Sequence, residues 1–503
     1  MSQPSTPVRN EEIAKLSHND SRRRFLKSGA IITAGLTFQW LSGCSKSEQD
    51  LGSIWEELAS NLEGTLLKPS SPDFKQKATP WALQYANRVP QGIALCVSEA
   101  DISNCILWAK RHKIPFVARS GGHSYAGYST TTGLIIDVSS MTNIEPLGGG
   151  LIRVSAGARN KNVFKEGKAR GIAITHGRCF EVGVAGLVLG GGIGFDMRKN
   201  GYTCDKLVET RVVLADGSIV TCNENENADL FWACRGAGGG NFGIHTSFTF
   251  KTFDVGNITM FNIKWKEQIP EVFAAVQEMI KNAPDTFGLK LSISAVKEFD
   301  KSVLTLSLLG QLAGPDNELN ALLAPVLAIH EPSEKTIKYL PYWDAQEEIS
   351  EEGAPEYAHE RSRFVQGEIS EAAFQTIISN LEAWPGTSKA ATWKYFLLGG
   401  EIDKKAPADM AFVHRGYTML SSVELEWTKT DSNSTITTNE AWLDKFHNQM
   451  EAYTSSYCYQ NFIDPDQKDY LNAYYGQNLG KLQEVKRKYD PENLFRYPQS
   501  IPL

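Results

Sequence analysis

Arg119-Ser120-Gly121-Gly122-His123-Ser124 is the stretch on which the fold turns. Two glycines before a histidine let the main chain approach a ligand closely, with successive N–H groups facing one concavity that can hold an anion. Gly183 to Gly194, with Gly190-Gly191-Gly192 at its centre, and Arg235-Gly236-Ala237-Gly238-Gly239-Gly240-Asn241 repeat the same chemistry. One such loop is as readily a plain turn; three suit a pyrophosphate and its flanking groups. No G-x-G-x-x-G register opens a helix from a strand with an acid about 20 residues on, and no Walker lysine is present. The expectation is a nucleotide site outside the Rossmann and P-loop folds.

Around these loops the pattern is short strands, short helices and dense glycine. Residues 93–97, 114–118 and 134–138 read as buried strands, and Ser98 caps a helix through His112. Residues 207–214 and 219–222 read as a hairpin about an Asp216-Gly217 turn. From about 256 to 455 glycine thins out, and helical segments such as 271–282 alternate with β-patterned ones such as 289–294, 303–309 and 392–398. A helix over 470–488 closes the chain, stopping before Asp490-Pro491.

The chain has 503 residues, 42% apolar and 22% charged, which is enough for a large core and two or three domains. A net charge of −7 without a broad basic face gives no sign of a nucleic-acid partner. The basic cluster Arg22-Arg23-Arg24-Phe25-Leu26-Lys27 precedes an apolar run from Gly29 to Leu41. About 13 helical residues span roughly 20 Å, short of a ~30 Å hydrocarbon core, so this is no stable transmembrane helix. It resembles a twin-arginine export signal, and Leu41-Ser42-Gly43-Cys44 resembles a lipobox. The expected localisation is that of an exported bacterial lipoprotein, periplasmic or at the cell surface, touching the membrane only through lipid on Cys44. No cysteine falls in a C-x-x-C pair, so no metal site is expected, and buried free thiols are the default. Oligomeric state leaves no mark in the sequence.

Taken in order, Arg119 to Ser124, Gly177-Arg178-Cys179-Phe180-Glu181-Val182-Gly183, Gly190 to Gly192 and Asp229-Leu230-Phe231-Trp232-Ala233-Cys234-Arg235-Gly236 resemble the berberine-bridge-enzyme-like flavoproteins of the vanillyl-alcohol-oxidase/p-cresol-methylhydroxylase superfamily. Tyr474-Tyr475-Gly476, Asn478, Lys486, Asp490-Pro491, Asn493, Phe495 and Gln499-Ser500-Ile501-Pro502 extend the likeness to the C-terminus. The resemblance implies an α+β chain with a two-part FAD-binding domain and an inserted substrate domain, an antiparallel sheet backed by helices. The expected division is signal and lipobox 1–44, tether and lead-in 45–80, FAD-binding 81–255, substrate domain 256–455, and FAD-binding 456–503.

The resemblance also implies FAD held bicovalently, by His123 at the flavin 8α-methyl carbon and by Cys179 at ring carbon 6. An imidazole nitrogen and a thiolate are side chains able to attack an electron-poor ring. Arg119, Ser120, Gly121, Gly122, Ser124, Gly183, Gly190, Gly191, Gly192 and Asn461 would complete the cofactor site. Val182 matches the position that gates oxygen in relatives, and a small residue there resembles the oxidases. Two positions depart from the pattern: Leu187 stands where many relatives have a histidine, and Phe462 where many have the catalytic tyrosine. The base is then sought among Tyr459, Tyr457, His414 and Tyr395, with Arg415 and Lys394 near in sequence to lower a phenol's ordinary pKa of ~10. The function implied is oxidation of a small organic substrate (an alcohol, sugar or polyphenol- or alkaloid-like molecule) with oxygen as acceptor. The alternatives are a dehydrogenase serving a quinone or carrier, and a non-catalytic lipid-anchored binding protein.

Overall fold

The computed structural model describes residues 48–503, and the chain divides into two units at Leu51/Gly52. The export signal and Cys44 therefore lie outside the described residues. Among those described, no helix is long and apolar enough to cross a membrane.

Within the 52–503 unit two large apolar cores form, beside two small clusters. The first lies among short mixed strands. Leu134–Asp137 pairs in parallel with both Gly92–Leu95 and Phe116–Arg119. Between these strands runs the helix Glu99–His112, whose cap Ser98 accepts from the Asp101 amide and whose Ile102, Cys105, Ile106 and Ala109 face inward. A five-stranded sheet in the order Ile144–Gly148, Leu151–Ser155, Ile244–Lys251, Leu207–Val213, Ile219–Asn223 adjoins it. The last two are the expected hairpin. C-terminal residues such as Tyr474, Tyr475, Leu482 and Ile501 pack into this same core, so the chain's end returns to its first half.

The second core lies behind a seven-stranded sheet: β1 (Asn257–Trp265), β2 (Phe287–Glu298), β3 (Lys301–Leu312), β4 (Glu334–Pro341), β5 (Tyr357–Val365), β6 (Ala390–Leu397) and β7 (Met419–Trp427). Their order is β4-β1-β3-β2-β6-β7-β5, antiparallel throughout. Period-two alternation sends Leu289, Leu291, Ile293, Trp393, Val423 and Leu425 backwards, where Ile269–Lys281, Glu371–Glu382 and Asn433–Gln449 cover them. The opposite face is polar and looks onto the site.

Two expectations are corrected. Residues 45–80 are not all tether: Trp55 and Leu58 enter the first core, and Thr65–Leu67 pairs with Gly92–Leu95. The C-terminal helix is broken into Tyr470–Tyr475 and Leu479–Tyr489. Gly476 between them has φ +47, and a Cβ there would stand 2.7 Å from the Tyr457 ring, so the chain turns where only glycine fits.

Candidate active site

A cavity of about 730 Å3 lies between the glycine loops and the polar face of the large sheet, within the ~300–1,000 Å3 typical of cofactor and ligand sites. Gly121, His123, Cys179, Val182 and Asn461 line one side, and Lys290, Ser292, Lys394 and Glu424 the other.

His123 stacks on Trp81 with ring centroids 4.2 Å apart, and Tyr125 meets Trp81 edge-on at 4.6 Å. Burial pushes the imidazole down to about 4, so at neutral pH it is uncharged and keeps a nitrogen lone pair. Its Nε2 is buried without a hydrogen-bond partner. Cys179 differs from the sequence expectation of a thiolate. Burial, and then the charge of Glu351, push the thiol up to about 12. Its Sγ donates towards Glu351 Oε2 at 3.6 Å. Glu351 also accepts from Arg178 (2.9 Å) and Lys290 (3.4 Å), and the Arg178 guanidinium holds its carboxyl well below the usual range.

The remaining expected cofactor residues separate into wall and scaffold. Arg119 lines the cavity, yet its guanidinium is engaged by the carbonyls of Ser129, Lys77 and Ala78. Ser120 donates to Ala156 O at 2.6 Å, and Ser124 Oγ accepts from the Tyr128 amide at 3.1 Å. These side chains shape the loop. Its amides stay free: among the described residues, the N–H groups of Gly121, Gly122, His123 and Ser124 have no protein acceptor, the condition of an anion cradle. Gly183 is on the wall, whereas Gly190, Gly191 and Gly192 are behind it, against Asn461, Phe412 and Thr203. A Cβ on Gly239 or Gly240, both on the wall, would meet nothing nearer than 3.8 and 3.7 Å, so it would fill the cavity itself. A dinucleotide-sized, glycine-lined cradle beside an unpartnered imidazole nitrogen fits FAD. These residues would hold its phosphates at Gly121–Ser124 and Gly238–Gly240 and its ring near His123 and Cys179.

The candidate bases fare differently. Tyr459 reaches the cavity, but its hydroxyl accepts from Gly192 N and Asn461 Nδ2, both at 3.0 Å, and burial raises its pKa further. Asn461 Nδ2 also binds Leu187 O at 3.0 Å. Tyr395 lies on the core face of β6, bonded to Gln277 at 3.1 Å, with its pKa raised by burial. His414 stacks on Phe364 at 4.3 Å, away from the cavity wall, and burial takes it down to about 3. Tyr457 lies off the wall too, 5.5 Å from the His414 ring. Neither Tyr395 nor His414 is placed to meet a substrate.

Carboxylates stand there instead. Glu356, Glu424 and Glu426 line the cavity, with one oxygen from each within 4.8 Å of the others. Burial and repulsion from Glu426 and Glu424 push Glu356 up to about 7, and Glu426 is raised as well. The Lys394 ammonium pairs with Glu424 at 2.7 Å and Glu360 at 3.1 Å, and lies 5.7 Å from the centroid of Phe462. Sequence reading missed these acids. The alternation Ser422-Val423-Glu424-Leu425-Glu426 was the available signal, since it puts both glutamates on one face of a strand.

A family model described as FAD binding domain matches residues 90–223, and one described as berberine and berberine like matches residues 458–502. The FAD-linked oxidoreductase YgaK of Bacillus subtilis is 32% identical over 450 residues, covering 88% of this chain and 97% of that one. The chitooligosaccharide oxidase of Gibberella zeae is 29% identical, covering 86% and 91%. Among solved structures, BBE-like 1 of Physcomitrella patens superposes with a TM-score of 0.81 at 26% identity, covering 89% of this chain and 99% of that one. The glucooligosaccharide oxidase of Acremonium strictum, whose flavin is described as 6-S-cysteinyl, 8α-N1-histidyl FAD, shares the fold with a TM-score of 0.78 at 24% identity, covering 89% and 99%.

Proposed function

Because the chain belongs to the berberine-bridge-enzyme-like FAD-linked oxidoreductases of the vanillyl-alcohol-oxidase superfamily, we propose that it carries its FAD on two covalent bonds, to His123 and Cys179, and oxidises a small hydroxyl-bearing molecule. The observation that supports this most is the placing of His123 and Cys179 on one cavity with the carboxylates of the large sheet. Sugars and related alcohols are the substrate class that relatives suggest, the chitooligosaccharide and xylooligosaccharide oxidases among them. Oxygen is the acceptor those oxidases suggest, and the small side chain of Val182 lines the cavity wall.

FAD, when bound, would supply the two-electron acceptor for hydride from the substrate carbon. The protein's residues do the rest. Ser292, Ser294 and Thr392 offer hydroxyls to the substrate from the sheet face. Phe462 cannot accept a proton, so the substrate hydroxyl proton goes to the Glu356–Glu424–Glu426 cluster. Three carboxylates in one cavity resist ionising together, which leaves one acceptor titrating near neutrality, where a general base works best. Lys394, 2.7 Å from Glu424, holds that carboxylate in place.

We further propose export by the twin-arginine route with lipid on Cys44, since a protein that loads flavin in the cytosol must cross the membrane folded.

The attachment is tested by acid precipitation and peptide mass. Wild-type pellets stay yellow, with a His123 peptide joined through flavin to a Cys179 peptide, and His123→Ala leaves a single link. Release of all flavin from wild type by acid would sink the reading.

A further inference from the structure

Residues 350–355 join helix Tyr342–Ile349 to β5 and form a strap across the attachment site. Its backbone is tied to the cysteine loop twice: Phe180 N donates to Glu351 O at 2.9 Å, and Glu351 N to Arg178 O at 3.1 Å, the parallel bridge between Cys179 and Glu351. Its side chain is tied as well, since Glu351 receives Arg178, Lys290 and the Cys179 thiol. Two residues on, Gly353 touches both attaching side chains. A Cβ built on Gly353 would lie 3.2 Å from Cys179 Cβ and 3.3 Å from His123 Nε2. Both contacts are tighter than ordinary van der Waals packing, and φ at Gly353 is +74.

We propose that Gly353 is a positioning residue for flavin attachment: the strap, held by Glu351, sets the gap between His123 and Cys179, and the bare backbone at 353 leaves room for both bonds to form. The proposal rests on the bicovalent reading above. Ring carbon 6 and the 8-methyl group belong to one benzenoid ring, so the two side chains must address neighbouring points on one edge. Interiors pack densely, and a shift of a few tenths of an ångström in either nucleophile is not absorbed by voids. Bond formation needs a near-attack separation of about 3–3.5 Å with aligned orbitals.

The chemistry balances with molecular oxygen as oxidant. At Cys179 the S–H and the ring C6–H bonds break and an S–C6 bond forms. Both protons leave, the thiol's by way of Glu351 to solvent, and two electrons pass to the ring and then to oxygen, giving hydrogen peroxide. At His123 an N–H and one methyl C–H give way to an N–CH2 bond with the same loss of two electrons and two protons to oxygen.

The test is the rate of covalent attachment when flavin-free protein is mixed with FAD in air, read by peptide mass with the two links resolved. Gly353→Ala should attach at least tenfold more slowly at one or both residues, while still binding FAD that acid releases. Gly353→Asn, which tolerates positive φ but carries a Cβ, should be slowed alike and guards against a folding defect in the alanine variant. Gly367→Ala is the control: φ there is +80 with open space around it, so it bears the backbone strain without the crowding and should attach as wild type does. Wild-type rates in both Gly353 variants, or equal slowing in Gly367→Ala, overturn the proposal. Absence of any covalent link in wild type instead overturns the reading on which it rests.

Discussion

The Lys394 ammonium and the Glu424 carboxylate stand 2.7 Å apart on neighbouring strands, Lys394 buried and Glu424 half-buried on the cavity face of the sheet. The cation offsets the desolvation of a carboxylate beside two others, Glu356 and Glu426. Glu360, also in contact with Lys394, is pushed up by burial to about 6 despite it.

Removing that cation disfavours the ionised cluster. The rate of flavin reduction in wild type should rise with pH through an inflection near 7, because the base must be deprotonated and Glu356 titrates at about 7. In Lys394→Met the inflection should move upward, and the rate at pH 7 should fall about tenfold or more, roughly 1.4 kcal/mol in barrier. Glu356→Gln should abolish or displace the inflection. Anaerobic stopped-flow bleaching from pH 6 to 9, with a substrate found by screening sugars and alcohols, reads all three. An unmoved inflection in both variants places the base elsewhere.

Val182 lines the cavity three residues after Cys179. One added methylene beside the ring should obstruct oxygen physically while sparing the sheet face proposed to hold substrate. Val182→Leu is expected to slow reoxidation by oxygen at least about tenfold, with flavin reduction little changed and artificial acceptors still serving. If reduced wild type itself reacts with oxygen only sluggishly, the quinone-linked dehydrogenase takes the place of the oxidase.

His359 on β5 holds the large sheet to the C-terminal segment, 2.7 Å from Glu440 and 3.2 Å from Asp464, which Arg361 also grips at 2.8 Å. Burial pulls the imidazole down, but Asp464 and Glu440 outweigh it and raise it to about 10. A folded-state pKa above the unfolded value of ~6.5 stabilises the fold fully below pH 6.5. That contribution is lost as pH climbs through 10. Denaturant midpoints should therefore drop between pH 7 and 10, and His359→Gln should cost ~2 kcal/mol at pH 6 while flattening that dependence. Equal midpoints for wild type and variant at pH 6 would remove His359 from the account.

The export proposal concerns residues outside those described. Arg22 and Arg23 replaced by Lys should trap the precursor in the cytosol, and Cys44→Ala should release mature protein from the membrane, because stable anchoring depends on the acyl chains. Fractionation with a flavin-fluorescence readout checks both. Normal surface display of the arginine variant would count against the route.

Sequence alone determined the fold class and put forward His123 and Cys179 as the residues proposed to hold the flavin. Glycine stretches in fixed order, with His123 and Cys179 inside them, are local signals, because a backbone that must approach a phosphate leaves few choices of residue. It did not determine what surrounds them. Lys394 and Tyr395 adjoin in sequence, yet a strand sends them to opposite faces, Lys394 to the cavity and Tyr395 to Gln277 in the core, so nearness along the chain misled the search for a base. Glu356, Glu424 and Lys394 meet only because β7 lies between β6 and β5, and Glu351 reaches Cys179 across 172 residues. The protonation of Cys179 was likewise decided by tertiary structure, since burial and a carboxylate from a distant strap set it, and neither is written in the residues beside it.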